Sequence, residues 1–207
     1  MKKLIAMGLT VIMTAVAVCG CGSSDSGNDA KKSDSQTKQQ AVKVIDVDLT
    51  SEEYAFGVDK NKPELLTQVN DFIKEIKDNG TFDEICNKYF GGGNPTPVKS
   101  EKLDTSKDQL LVATNASFEP FEYMKGDSYY GIDMEIAAAL AKKLNKELVI
   151  QNMEFDSVCL SVGQHKSDVA MAGLTVKEDR KKYVNFSDTY YNAAQRLIVK
   201  GDSTEFD

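Results

Sequence analysis

Apolar residues at Leu65, Leu66, Val69, Phe72, Ile73 and Ile76 recur at helical spacing, and Pro63 just ahead of them suits a first helical turn. Gly80 supplies a stop. Thr81-Phe82-Asp83-Glu84 reads as a capping box, opening a second helix that buries Phe82, Ile85 and Tyr89. Before this pair, segments 43–48 and 53–58 alternate or cluster apolar residues as short strands do. Beyond it, short apolar runs at 110–114, 148–151, 168–172 and 194–199 predict strands. Helical stretches from Asp133 to Leu144 and from Ser157 to Gln164 lie between them. Strand–helix alternation of this length predicts an α/β fold, a mostly parallel sheet flanked by helices. Ligands of such folds bind beyond the carboxyl ends of the strands. Asn115–Phe118 and Gly173–Thr175 each follow one of those ends.

The run from Asp168 to Arg180 carries chemistry. An apolar strand (Val169 to Ala172) ends in Gly173, a hydroxyl follows at Thr175, and a short charged helix is expected with Arg180 inside it. A strand, a glycine turn and a helix N-terminus together present backbone N–H groups to an anion. Thr175 adds a hydroxyl donor, and Arg180 a guanidinium fork suited to a carboxylate. The other reading of the same residues is an ordinary strand–turn–helix with Arg180 in water.

The surrounding motifs resemble the family 3 extracellular solute-binding proteins, the amino-acid receptors of bacterial ABC importers. The resemblance is carried by Leu110-Leu-Val-Ala-Thr114, by Asn115-Ala-Ser-Phe-Glu-Pro-Phe-Glu-Tyr123, and by Gly131-Ile-Asp133 opening a helix, with Ile132 where Phe is commoner. Phe155-Asp156, Gly173-Leu-Thr175, Arg180 and Phe186-Ser-Asp-Thr-Tyr-Tyr191 continue it. A second set resembles the closing segment of the same family: Glu53-Tyr-Ala-Phe-Gly-Val58, Glu64-Leu-Leu66, Asn79-Gly-Thr81 and Asn87-Lys-Tyr-Phe90. Here it precedes the opening strand. The resemblance therefore implies a single periplasmic binding protein-like (type II) lobe that is circularly permuted. Residues 42–91 would be the displaced C-terminal segment, 92–107 a linker, and 108–200 the N-terminal part of the lobe. Residues 201–207 would be the start of a missing second lobe or a truncated end. Chain termini of a compact domain often lie close together, which makes permutation physically reasonable.

The resemblance also implies a ligand set. Arg180, Thr175 and the Gly173 backbone would take an α-carboxylate, and Phe118 and Phe155 would sandwich the remainder. Asn115 stands where many relatives carry an acidic residue near the ligand side chain. In relatives the second lobe supplies an acid for the α-ammonium, and no carboxylate here matches it.

The first residues read as an export signal: Lys2 and Lys3, then an apolar stretch from Leu4 to Val18 that is shorter than a membrane span. Val18-Cys19-Gly20-Cys21 resembles a bacterial lipobox, with Cys19 where Ala or Ser is commoner. Residues 1–20 are thus expected to be a signal peptide. Cys21 would be lipidated and would lead a disordered tether over 21–41, rich in Ser, Gly, Asp, Lys and Gln. About 20 such residues span roughly 25 Å. The net charge of −7 argues against nucleic acid as a partner, which selects basic surfaces. Cys86 and Cys159 sit among apolar residues and read as small buried hydrophobes. No spacing suits a metal, and no cofactor is expected. His165, the one histidine, lies in a polar turn and reads as a solvated loop residue rather than a general base.

The function expected is extracytoplasmic binding of an L-amino acid or similar small polar solute for an ABC permease. The protein would be held at the membrane by its lipid and would not act as an enzyme. Two alternatives stay open: a dehydratase-like enzyme on the same fold, and a lipid-anchored sensor or interaction module that kept one lobe.

Overall fold

The computed structural model describes residues 41–205; the expected signal peptide, Cys21 and nearly all of the tether lie outside them. The chain begins with strands β1 (Val42–Asp48), β2 (Glu52–Tyr54) and β3 (Gly57–Asp59), then helices α1 (Pro63–Asp78) and α2 (Thr81–Phe90). Strands β4 (Gln109–Thr114), β5 (Ser117–Phe118), β6 (Glu122–Lys125) and β7 (Ser128–Tyr130) follow, with α3 (Ile132–Lys143) and β8 (Glu147–Asn152). Helix α4 (Phe155–Gly163), β9 (Val169–Ala170), a 3-10 turn at Arg180–Lys182, β10 (Val184–Phe186), β11 (Tyr191–Ala193) and β12 (Arg196–Lys200) complete the order.

Two compact units result. The larger is Asp46–Leu197, and the smaller, among the described residues, joins 41–45 to 198–205. In the smaller, the Gly201 N–H donates to the Ala41 carbonyl at 3.2 Å and Lys43 Nζ donates to the Ser203 carbonyl at 3.1 Å, while Val42, Val44 and Ile198 remain exposed.

The larger unit is built on a five-stranded sheet in the order β10-β3-β9-β4-β8. β4 runs parallel to β8 and β9, whereas β3 is antiparallel to both β9 and β10. Four strands therefore point one way and β3 opposes them. Side chains alternate across the sheet. Leu110 and Val112 join the apolar face of α1 (Leu65, Val69, Phe72, Ile73, Ile76) and Ile136 and Leu140 of α3 in one core. Ala113 and Ala170 face the other way, onto Val158, Cys159 and Val162 of α4. Each large side chain so buried contributes about 1.5–3 kcal/mol, so α1 and the strands from 109 onward stabilise one another.

Several local expectations fail, each for a visible reason. The capping box does not form. Gly80, in a left-handed conformation (φ 84), is itself the N-cap of α2, Thr81 is already helical, and its N–H donates to Asn79 Oδ1 at 3.0 Å. Two residues join α1 and α2, which leaves no room for a separate cap. α4 starts at Phe155, two residues before the expected Ser157. The segment between β4 and α3 holds a three-stranded meander, β5-β6-β7. It closes on α3 at Gly131, where φ is 127° and a Cβ would lie 2.0 Å from the Phe121 carbonyl oxygen. The short charged helix expected around Arg180 shrinks to one 3-10 turn with no buried residue. A segment with no apolar face to bury cannot offset the cost of helix nucleation.

Candidate functional site

The residues expected to bind ligand gather at the carboxyl end of the sheet, within the larger unit. Asn115 follows β4, Phe155 follows β8, and Gly173 and Thr175 follow β9. Gly173 is held in the left-handed region (φ 51), and a Cβ on it would lie 2.9 Å from Phe118 Cε1 and 3.6 Å from Tyr54 Cε2. Only glycine lets the Phe118 ring lie this close to the chain. That ring is 44% exposed, as is Phe155 at 40%, so two aromatic faces remain open to a ligand. Phe118 is steadied from behind by Phe121, stacked at 5.6 Å.

Arg180 reaches back over its own turn. Its Nη1 donates to the Thr175 carbonyl at 2.8 Å, and its Cζ sits 5.0 Å from the centroid of the Phe155 ring. A carbonyl and an aromatic face are weak partners for a guanidinium. No ion pair found among the described residues engages it. The Thr175 hydroxyl donates to Glu52 Oε2 at 3.1 Å. Glu52 also accepts from Thr50 Oγ1 at 3.1 Å and from Gln195 Nε2 at 2.7 Å. Burial would raise the Glu52 carboxyl, but hydrogen bonds from Thr175, Gln195, Thr50 and Tyr54 outweigh it and hold the group below the usual carboxylate range. Tyr54 is pushed up to about 12 by burial and by the Glu52 charge.

Behind the glycine turn lies a second acidic pair with the opposite character. Asp133 is fully buried; its Oδ2 accepts the Gly173 N–H at 3.0 Å and its Oδ1 the Tyr190 hydroxyl at 2.6 Å. Burial pushes Asp133 up to about 7, with those two donors pulling it back. Glu122 is 1% exposed, and its Oε2 has no hydrogen-bond partner. Burial first, then the Asp133 charge, push Glu122 up to about 11. An ionised oxygen buried without a donor is far costlier than a neutral one, so Glu122 carries the proton and Asp133 the share of charge that two donors can stabilise.

Two parts of the expected anion site need correction. The Gly173 N–H is already given to Asp133, so it does not face a ligand. The anion site at a helix N-terminus disappears, because Arg180–Lys182 is a single 3-10 turn. Asn115 donates its amide to the Met153 carbonyl at 2.8 Å, tying the end of β4 to the segment that leads into α4. His165 is half exposed in its turn, as expected, and has partners there: Nδ1 lies 2.9 Å from both oxygens of the buried Asp59, and Nε2 3.1 Å from Asn61 Nδ2. Glu52, Tyr54 and Asp133 are the site-region groups that sequence reasoning did not select. Two of them belong to motifs it did quote, Glu53-Tyr54 and Gly131-Ile-Asp133.

Cys86 and Cys159 are unpaired thiols. Burial, then Asp83 and Asp133, push Cys86 up to about 12, and burial raises Cys159. Neither is an activated nucleophile. Among the described residues no cluster of His, Cys, Asp and Glu could hold a metal, and no helix is long and apolar enough to cross a membrane.

This chain belongs to the bacterial extracellular solute-binding proteins, family 3, whose sequence profile matches residues 10–92 and 110–206. The arginine-binding extracellular protein ArtP of Bacillus subtilis (strain 168) is 40% identical over 100 residues, covering 48% of this chain and 39% of ArtP. The arginine-binding periplasmic protein of Mannheimia haemolytica is 34% identical over 101 residues, 48% of this chain and 42% of that one. The chain thus spans about two-fifths of the length of these curated relatives. Among solved structures, the arginine-bound form of domain 1 from TmArgBP is 34% identical, with a TM-score of 0.41, covering 51% of this chain and 91% of that domain. An ancestral cyclohexadienyl dehydratase is 32% identical over 36% of this chain and 32% of that one, with a TM-score of 0.35. The fold is a single α/β lobe of the periplasmic binding protein type, and the family is extracellular.

Proposed function

We propose that this chain captures an L-amino acid, or a similar small polar solute, outside the cytoplasm for delivery to an ABC permease. The observation that carries the reading is Arg180. Its guanidinium is held at the carboxyl end of the sheet by a carbonyl and an aromatic ring, without a carboxylate of its own. A bidentate carboxylate is the partner its fork geometry favours. In this reading Phe118 and Phe155 flank the rest of the ligand, and Asn115 and Thr175 line it. Gly173 contributes the room that a side chain would fill. The names of the two curated relatives make L-arginine the first solute to try.

The finer parts of the reading concern arrangement. Residues 42–91 complete the lobe begun by 108–200, as in a circular permutation; the shared core of α1 with β4 and α3 supports this. The Val18–Cys21 sequence supports a lipid anchor at Cys21, and Cys21→Ser should then move the protein from membrane to soluble fractions. One lobe makes part of the contact set, so affinity should be on the order of millimolar. Calorimetry with L-amino acids and their amides tests the carboxylate assignment. The acids should bind and the amides should not, and Arg180→Lys should weaken the acids. Equal binding of acid and amide would count against it.

A further inference from the structure

Arg180 and Glu52 stand on either side of one residue. Arg180 Nη1 is 2.8 Å from the Thr175 carbonyl oxygen, and Glu52 Oε2 is 3.1 Å from the Thr175 hydroxyl. Among the described residues no ion pair joins the two side chains. Here each is held instead by neutral groups: Arg180 by a carbonyl and the Phe155 ring, Glu52 by Thr50, Thr175 and Gln195.

Resting on the amino-acid reading above, we infer that Glu52 takes the α-ammonium of the ligand while Arg180 takes its carboxylate, so that the lobe reads a zwitterion unaided. Each charge is one hydrogen bond from Thr175, and an α-amino acid head brings two charged groups joined by one carbon, each reaching its partner through a charge-assisted bond of about 2.7–2.9 Å. Glu52 is fixed for the task by backbone pairing. Its strand β2 is antiparallel to β11, with Glu52 opposite Ala193, and the Gln195 amide locks one carboxylate oxygen at 2.7 Å. Oε2 accepts the Thr175 hydroxyl, a donor that can rotate away when an ammonium arrives. The acid comes from residues 42–91 and the guanidinium from the later segment, so the pairing of β2 with β11 assembles the reader.

The test uses L-arginine and its 2-deamino analogue, 5-guanidinopentanoic acid, which keeps the carboxylate and guanidinium but lacks the ammonium. Binding is followed by NMR titration of wild type, Glu52→Gln, Glu52→Asp and Arg180→Lys. Wild type should prefer L-arginine to the deamino acid by at least tenfold. Glu52→Gln should erase that preference by weakening L-arginine alone, leaving the deamino acid unchanged or tighter, and Glu52→Asp should restore part of it. Loss of both probes alike would put Glu52 on the side-chain guanidinium or in the scaffold, and an unchanged preference would also overturn the inference. If neither probe depends on Arg180, the carboxylate reading itself fails. If Arg180→Lys weakens both while Glu52→Gln changes nothing, only the Glu52 assignment falls.

Discussion

At the amino end of the central sheet, Lys62 pairs with Asp168, Lys146 with Asp108, and His165 lies 2.9 Å from Asp59. At the carboxyl end, Arg180 and Glu52 are held by neutral groups. The amino end also has the larger opening, a cavity of about 500 Å³ lined by Asn61, Lys62, Leu65, Gln68, Gln109 and Asp168. The space beside Phe155, Cys159, Arg180 and Tyr183 is about 260 Å³. Under the proposed function, volume alone would select the wrong end. Charges that have already found each other stabilise the fold, whereas charges held apart by a scaffold are available to something else. The comparison assigns stability to one end and recognition to the other, and substitutions at the two ends should separate these properties.

The largest effect is expected from Asp168→Ala. This side chain accepts the Leu111 N–H at 2.7 Å and pairs with Lys62, so its loss leaves a backbone donor in the sheet without a partner. Urea denaturation should show a loss of about 2–3 kcal/mol, with binding at the other end unaltered. Gly173→Ala should cost about 1 kcal/mol from its positive φ alone. Its Cβ would also press on Phe118, so binding should fall with stability, unlike at Asp168.

The buried acids give a pH signature. Glu122 and Asp133 hold protons more tightly folded than unfolded, so their contribution to stability is fully present below the ordinary carboxylate pKa. It declines as pH rises through about 7 for Asp133 and towards about 11 for Glu122. The melting temperature should therefore be higher at pH 5 than at pH 8, and Glu122→Gln should shrink the difference. A profile as steep in that variant would place the buried charge elsewhere. Arg180→Lys should have the smallest effect on stability, within about 0.5 kcal/mol, because the guanidinium holds nothing together but its own turn.

Much of the scaffold is legible in the order of residues. α1 and α3 follow from helical period, and β4 and β8 from short apolar runs that are buried on both faces. Strands of three residues, such as β2, β10 and β11, are too short to have a readable period. Their existence depends on partners more than a hundred residues away, as in Glu52 opposite Ala193. The site divides in the same way. Phe118, Phe155, Thr175 and Arg180 stand in recognisable local motifs, and the fold brings them to one end of the sheet. Glu52, Tyr54 and Asp133 act through hydrogen bonds that span from 40 to more than 120 residues, which no local pattern encodes. The Gly173 N–H looks free in its own segment for that reason: its acceptor, Asp133, lies in a different helix.

The most direct test is an amide-resolved NMR titration of the folded chain with L-arginine, followed residue by residue at both ends of the sheet. Shifts should concentrate at Phe118, Gly173, Thr175, Arg180 and Glu52 and should be absent from Asn61, Lys62, Gln109 and Asp168. Shifts confined to the amino-end cavity would contradict the assignment of recognition to the unpaired charges.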